Sequence, residues 1–125
     1  MKDRFKFRAW NLEKGIMHYN AEDTYDGISN NSIAHSNFSA VLEDNEYVVM
    51  QCTGIKDVKG NIIYEGDILK VINGSVCGMK VKGTVVVEWN GTGWNINNWE
   101  YDDTHSYEII GNIYENKELL NGNKN

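Results

Sequence analysis

The stretch Val48–Val71, which reads VVMQCTGIKDVKGNIIYEGDILKV, carries the strongest structural signals of the chain. An apolar run leads to Gly54, the polar segment 57–61 separates it from a second apolar run, and the residues Glu-Gly-Asp at 65–67 precede a third. Glycine adopts the positive φ that tight turns need, whereas valine and isoleucine favour extended strands. The stretch therefore predicts three strands separated by a turn and a corner.

The composition is that of a globular protein. The chain has 125 residues, of which 41% are hydrophobic and 24% are charged, and this suits one domain with its own core. No run of about 18 apolar residues is present, and the N-terminus lacks the apolar segment of a signal peptide, so we expect a cytoplasmic protein with no membrane contact. Cys52 and Cys77 form no CxxC pair, which predicts free thiols and no cofactor.

Charge is distributed unevenly along the chain, whose net charge is −6. The segments 15–55 and 84–116 each hold six acidic residues and no basic one, whereas lysines are concentrated between them. A nucleic-acid-binding face needs concentrated positive charge, because phosphates dominate the affinity. Nucleic acid is therefore the less favoured partner. Its binding site would comprise the lysines Lys56, Lys59, Lys70, Lys80 and Lys82.

Outside the opening stretch, apolar residues alternate with polar ones over short runs. This pattern predicts strands at residues 5–10, 16–19, 38–42, 81–89, 94–97 and 107–114. The polar segments 20–37 and 73–80 are predicted to be loops, and Asn116 is predicted to cap a short helix at 117–120. The sequence thus predicts a mainly β fold. An N-terminal β-hairpin region is joined to a small, bent, SH3-like barrel that a short C-terminal helix follows.

Four segments together resemble the YopX family of bacteriophage and prophage proteins. They are FRAW at 7–10, MQCTGIKDVKGNIIYEGDILKV at 50–71, GTVVVEW at 83–89 and YEIIGNIYENKELL at 107–120. The resemblance covers about residues 4–120 and implies a mainly β protein of a phage or prophage inside the bacterial host cell. It implies no reaction and no catalytic residues. We expect a single YopX-like domain over 1–125, with an N-terminal β region at 1–55, which includes the long loop 20–37, and the barrel at 56–121.

The glycines and the aspartate of the opening stretch are predicted to shape the backbone. Gly54, Gly60 and Gly66 occupy turns or corners, and Asp67 can accept backbone N–H groups across the last corner. The alternative is that Asp67 is an acid in a ligand groove. A structural role predicts that Asp67→Ala lowers the melting temperature, which distinguishes the two interpretations.

Two clusters are candidates for chemistry or for contacts. Asp102, Asp103 and His105 have side chains that bind divalent cations, but a solvated acidic loop is the favoured interpretation and we predict no metal. Trp89, Trp94 and Trp99 could form a contact surface, although cross-strand packing explains the first two, which flank the turn at 90–93. The histidines lie in separate segments with no nucleophile motif, which disfavours an enzyme.

The sequence therefore favours a non-enzymatic phage or prophage accessory protein that acts through protein contacts. Exposed β edges and aromatic hairpins also predict self-association, since unpaired strand edges invite pairing with another chain. The partner would be a second copy of the chain or a host or phage protein. The alternative is a nucleic-acid-binding small barrel.

Overall fold

The structure, a computed structural model, describes residues 5–24, 32–76, 79–80, 83–96 and 105–122. These residues form β-strands and two short α-helices. In chain order they are β1 (Phe7–Asn11), β2 (Ile16–Tyr19), α1 (Phe38–Glu43), β3 (Tyr47–Lys56), β4 (Ile62–Tyr64), β5 (Asp67–Val76), β6 (Met79–Lys80), β7 (Thr84–Val86), β8 (His105–Asn112) and α2 (Glu118–Gly122). The mainly β prediction is confirmed. In the described part of the chain, no helix is long and apolar enough to cross a membrane.

The chain packs as two compact units, which we call the N-terminal unit (Met1–Cys52) and the C-terminal unit (Thr53–Asn125). In the N-terminal unit, β1 pairs antiparallel with β2 on one side and with the first half of β3 on the other. The predicted hairpin forms because the Asn11 side chain accepts the backbone N–H groups of Glu13 and Lys14, at 3.1 and 3.0 Å. Gly15, with φ +66°, then completes the turn.

The predicted strand at 38–42 is wrong, because these residues form α1. Asn37 has an extended backbone, and its side-chain oxygen accepts the N–H of Ala40 at 2.9 Å, which is an N-cap. The helix carries Val41 into a core with Ala9, Ala21 and Ile33, all of which are buried. Four apolar residues and one serine over five positions fit either a buried strand or one turn of a helix, so periodicity could not separate the two.

In the C-terminal unit, β5 is the central strand. It pairs antiparallel with β8 on one side and with β7 and β6 on the other, and two register shifts along the β8 pairing bend the sheet into a curled half-barrel. This confirms the bent small barrel. Leu69 of β5 lies in a core cluster with four other buried residues, which are Ile63, Val87, Ile96 and Tyr107.

The predicted loop at 73–80 is also wrong in part. β5 continues to Val76, and its end pairs with β6 through Ser75 opposite Lys80. The dipeptide Asn73-Gly74 suggested a turn, but Asn73 lies opposite Ser106 and Gly74 opposite His105 in the β8 ladder. The predicted strand at 81–89 is shorter in the described residues, where β7 covers Thr84–Val86; residues 81–82 lie outside them.

The remaining sequence predictions concern the loop at 20–37 and the C-terminal helix. In the described part of the segment 20–37, Ala21–Asp23 form a 3-10 turn; residues 25–31 lie outside the description. The short C-terminal helix is present as α2, one residue later than predicted. Asn116 does not directly precede it, and its side-chain oxygen instead accepts the N–H of Asn112 at 3.1 Å.

Candidate functional site

Asp67 lies at the corner between β4 and β5. Its side chain is 2% exposed, and its Oδ2 accepts the N–H of Tyr64 at 2.8 Å. Gly66 beside it has φ +87°, and its N–H and C=O both bond to neighbouring backbone, at Val87 and Ile113. A buried carboxylate that accepts a backbone N–H stabilises the backbone conformation of the corner and is not accessible to a ligand in solvent.

Asp57 is the side chain whose importance the sequence did not show. It is 1% exposed, and its carboxylate accepts three backbone N–H groups. Oδ1 takes those of Lys59 and Asn61 at 3.0 and 2.8 Å, which closes the turn, and Oδ2 takes that of Ile109 at 3.1 Å. The turn can be recognised in the sequence, because an aspartate followed three residues later by a glycine (Gly60, φ +87°) is typical of turns. The hydrogen bond to Ile109 of β8, 52 residues away, leaves no pattern in the sequence.

Gly54 lies within β3 and has φ +79°. A positive φ is strained for a residue with a side chain, so a glycine here permits the strand to bend. Next to it, the Thr53 hydroxyl donates to the C=O of Ile63 at 2.9 Å and accepts the N–H of Ile55 at 3.0 Å. The second half of β3 is thus tied to β4.

Trp89 and Trp94 face each other across the hairpin that the sequence predicted. They form an isolated antiparallel bridge, with ring centroids 5.1 Å apart and ring planes at 70°. This edge-to-face contact is favourable for aromatic rings. Trp94 also packs against the core, whereas Trp89 is 53% exposed. Trp99, the third residue of the predicted contact surface, lies outside the described residues.

The structure describes the candidate metal ligands only in part. Asp102 and Asp103 lie outside the described residues, and His105 is described only as the first residue of β8. Among the residues that are described, no three His, Cys, Asp or Glu side chains are placed to hold a metal ion. The His35 imidazole instead forms a hydrogen bond with the Asp44 carboxylate, 2.8 Å from Nε2 to Oδ2. The N–H of Glu46 and this imidazole both lower the pKa of Asp44.

The five lysines of the nucleic-acid alternative have different surroundings. Lys59 Nζ lies 2.7 Å from Glu108 Oε2, and this hydrogen bond raises the pKa of Lys59. Lys56 ends β3, and Lys70 is exposed on β5. Lys80 is described only as a strand residue, and Lys82 lies outside the description. The described side chains therefore show no concentrated basic face.

A groove lies on the outer face of the C-terminal sheet. Its volume is about 540 Å³, within the range of small binding sites. Its described lining consists of Lys70, Val71, Ile72, Gly83, Thr84 and Ile110. Two of these, Ile72 and Ile110, are large apolar side chains that are 47% and 37% exposed.

Sequence and fold both match known proteins. The family model described as YopX protein matches residues 6–121. The crystal structure of protein EF1440 from Enterococcus faecalis is similar, with 27% sequence identity, a TM-score of 0.60, and coverage of 92% of this chain and 96% of that one. No curated protein matches the sequence. Because the family model spans nearly all of the chain, this protein belongs to the YopX family, whose function is unknown.

Proposed function

We propose that this protein is a non-enzymatic accessory protein of a phage or prophage that acts through protein contacts and self-associates. Family membership supports the phage-type origin, and the family is not a known enzyme family. The buried carboxylates Asp57 and Asp67 accept backbone donors, which supports a structural use of these acids. The observation that carries the proposal is the chemistry of β2, the terminal strand of its sheet.

β2 has the features of a pairing edge. Among the strands that the structure describes, it stands at the end of the order β2-β1-β3-β4, and its sequence, Ile-Met-His-Tyr, has no carboxylate, lysine, arginine or proline. Its end residues Ile16 and Tyr19 are each 47% exposed. Natural edge strands usually carry charges, prolines or bulges that prevent pairing with another chain. An edge without these features, with exposed apolar side chains, favours pairing.

In the C-terminal unit, other groups of the chain form hydrogen bonds along β7 and β8. Beside β7, the Asn95 side chain donates to the C=O of Val86 at 2.8 Å and accepts the N–H of Glu88 at 2.9 Å. Beside β8, the N–H of Val58 donates to Tyr107 O at 2.9 Å, and the Asp57 carboxylate covers the N–H of Ile109. These groups occupy donors and acceptors that a second chain would need. Self-association is therefore expected at β2.

A twofold axis would place β2 of two copies side by side and antiparallel, which extends the sheet across the dimer. Fully burying an Ile or aromatic side chain contributes about 1.5–3 kcal/mol, so covering the exposed half of Ile16 and of Tyr19 contributes about 1 kcal/mol each. Two copies gain about 4 kcal/mol in this way, against an association cost of about 4–15 kcal/mol. Backbone hydrogen bonds supply the rest, and a weak dimer results.

Sedimentation velocity tests this proposal, over protein concentrations from about 10 μM to about 1 mM. The unaltered chain is expected to gain mass as its concentration rises, and Tyr19→Lys is expected to stay monomeric. Leu120→Lys is the control, since Leu120 is also an exposed apolar residue (39%) but lies in the C-terminal unit, and it should associate like the unaltered chain. A monomer at every concentration, or equal loss of association in both variants, would reject pairing through β2.

A further inference from the structure

The groove on the C-terminal sheet has an apolar floor with one charged side chain. Along β5, Leu69 and Val71 contact the core, whereas Lys70 and Ile72 are exposed and line the groove. Ile110 of β8 is also exposed and lines the groove, whereas its neighbour Ile109 packs against the core. Lys70 thus shares the groove with two exposed isoleucines.

The acidic residue opposite Lys70 is paired with another lysine. Glu108 lies directly opposite Lys70 in the β5–β8 ladder, but its carboxylate contacts Lys59, with 2.7 Å between Oε2 and Nζ. On the other side, Lys70 lies opposite Thr84. The described lining contains no carboxylate, and Lys70 is the one charged side chain in it. The described part of the groove therefore presents one positive charge beside exposed aliphatic side chains.

We propose that this groove binds an extended peptide segment of a partner protein, one that places a carboxylate between aliphatic side chains. Lys70 would contact the carboxylate, and Ile72 and Ile110 would contact the aliphatic side chains on either side. Alternate residues of an extended peptide lie about 6.5 Å apart on one face, so they can contact neighbouring side chains of one groove. A nucleic acid fits less well, because the described lining holds one cation and no aromatic ring on which a base would stack.

An NMR titration with short peptides tests the groove. The probe is a blocked five-residue peptide with valine at its first and last positions, aspartate at the centre and serine between. We expect it to shift the amide signals of Lys70, Ile72 and Ile110. The same peptide with a central asparagine should bind about tenfold more weakly, because it loses a charge-assisted hydrogen bond. A third peptide, with the asparagine and a free C-terminal carboxylate, distinguishes a chain end from an acidic side chain as the source of the charge.

Charge reversal makes the test specific. Lys70→Glu should no longer bind the aspartate peptide and should instead bind a peptide with lysine at its centre. Lys117→Glu is the same change at an exposed residue outside the groove, and this variant should bind the peptides as the unaltered chain does. Equal binding of the aspartate and asparagine peptides, or shifts elsewhere, would overturn the proposal. The proposal would also be overturned if octanoate bound to the groove while neither of the two peptides that carry a carboxylate did, because the groove would then be a site for free carboxylic acids. Lys70→Glu leaves β2 intact, so this outcome is independent of self-association.

Discussion

Asp57→Asn is the sharpest test of how the C-terminal unit is held together. Asparagine has nearly the size of aspartate, and its one remaining oxygen can still accept the N–H groups of Lys59 and Asn61. Its NH₂ group then faces the N–H of Ile109, and two donors cannot pair. A buried donor without an acceptor costs about 1–3 kcal/mol, and the retained bonds weaken because the acceptor is no longer ionised. The expected loss in the free energy of unfolding is about 2–4 kcal/mol.

This loss is measurable by denaturant unfolding and by hydrogen exchange. For a domain of this size, about 1 kcal/mol shifts the melting temperature by about 3–5 °C, so we expect a fall of about 10 °C. The amide of Ile109 should also exchange faster, because it has lost its acceptor. Asp23→Asn is the control: it is the same chemical change at an exposed residue, and it should stay within about 0.5 kcal/mol of the unaltered chain. If Asp57→Asn also stays within that range and Ile109 remains protected, the carboxylate does not stabilise this unit as argued.

Two further substitutions test the other acidic residues. Asp67→Ala removes the acceptor of the Tyr64 N–H from a buried corner, so thermal unfolding should show a loss of about 1–3 kcal/mol, and an unchanged melting temperature with loss of binding to a partner would instead make Asp67 a ligand residue. The carboxylate of Glu13 raises the pKa of Glu46. The folded state therefore binds the proton of Glu46 more tightly than the unfolded state does. Above that pKa, the repulsion between the two ionised carboxylates opposes folding. Glu46→Gln should therefore raise the melting temperature at about pH 7 but not at about pH 3, where both carboxyl groups are protonated, and an equal gain at both pH values would contradict the charge repulsion.

The sequence predicted the elements whose signals are local. Alternating residues and the turn after Asn11 were sufficient for the β1–β2 hairpin, and the two tryptophans flanking Gly91 were sufficient for the bridge between Trp89 and Trp94. In each case one turn sets the register, so neighbours in sequence become neighbours in the sheet. The corner at Gly66 was recognised for the same reason, since its positive φ is a property of that residue alone.

The sequence did not predict the features that depend on distant residues. α1 exists because Val41 packs into a core with residues of other elements, and a strand at 38–42 could not be excluded without that contact. The extension of β5 through Gly74 depends on β8, whose residues lie about 30 positions later and override the local turn preference. The third acceptor contact of Asp57 likewise needs Ile109. Of the groove residues, the sequence named Lys70 only as a lysine of the nucleic-acid alternative and did not indicate its isoleucine neighbours, because the groove forms only when β5 and β8 pair.

Several polar side chains of types that could catalyse a reaction or bind a metal instead accept hydrogen bonds from the backbone. The chain has no proline, and the side-chain oxygens of Asn11, Asp57, Asn90 and Asn112 each accept N–H groups two to four residues later, which closes a turn. An oxygen that accepts such donors is less available to bind a metal or to transfer a proton. The groove on the C-terminal sheet presents groups of another kind, namely the exposed side chains of Ile72 and Ile110 and the ammonium group of Lys70. Such groups contribute to binding rather than to catalysis, and this difference favours a protein that acts by contact.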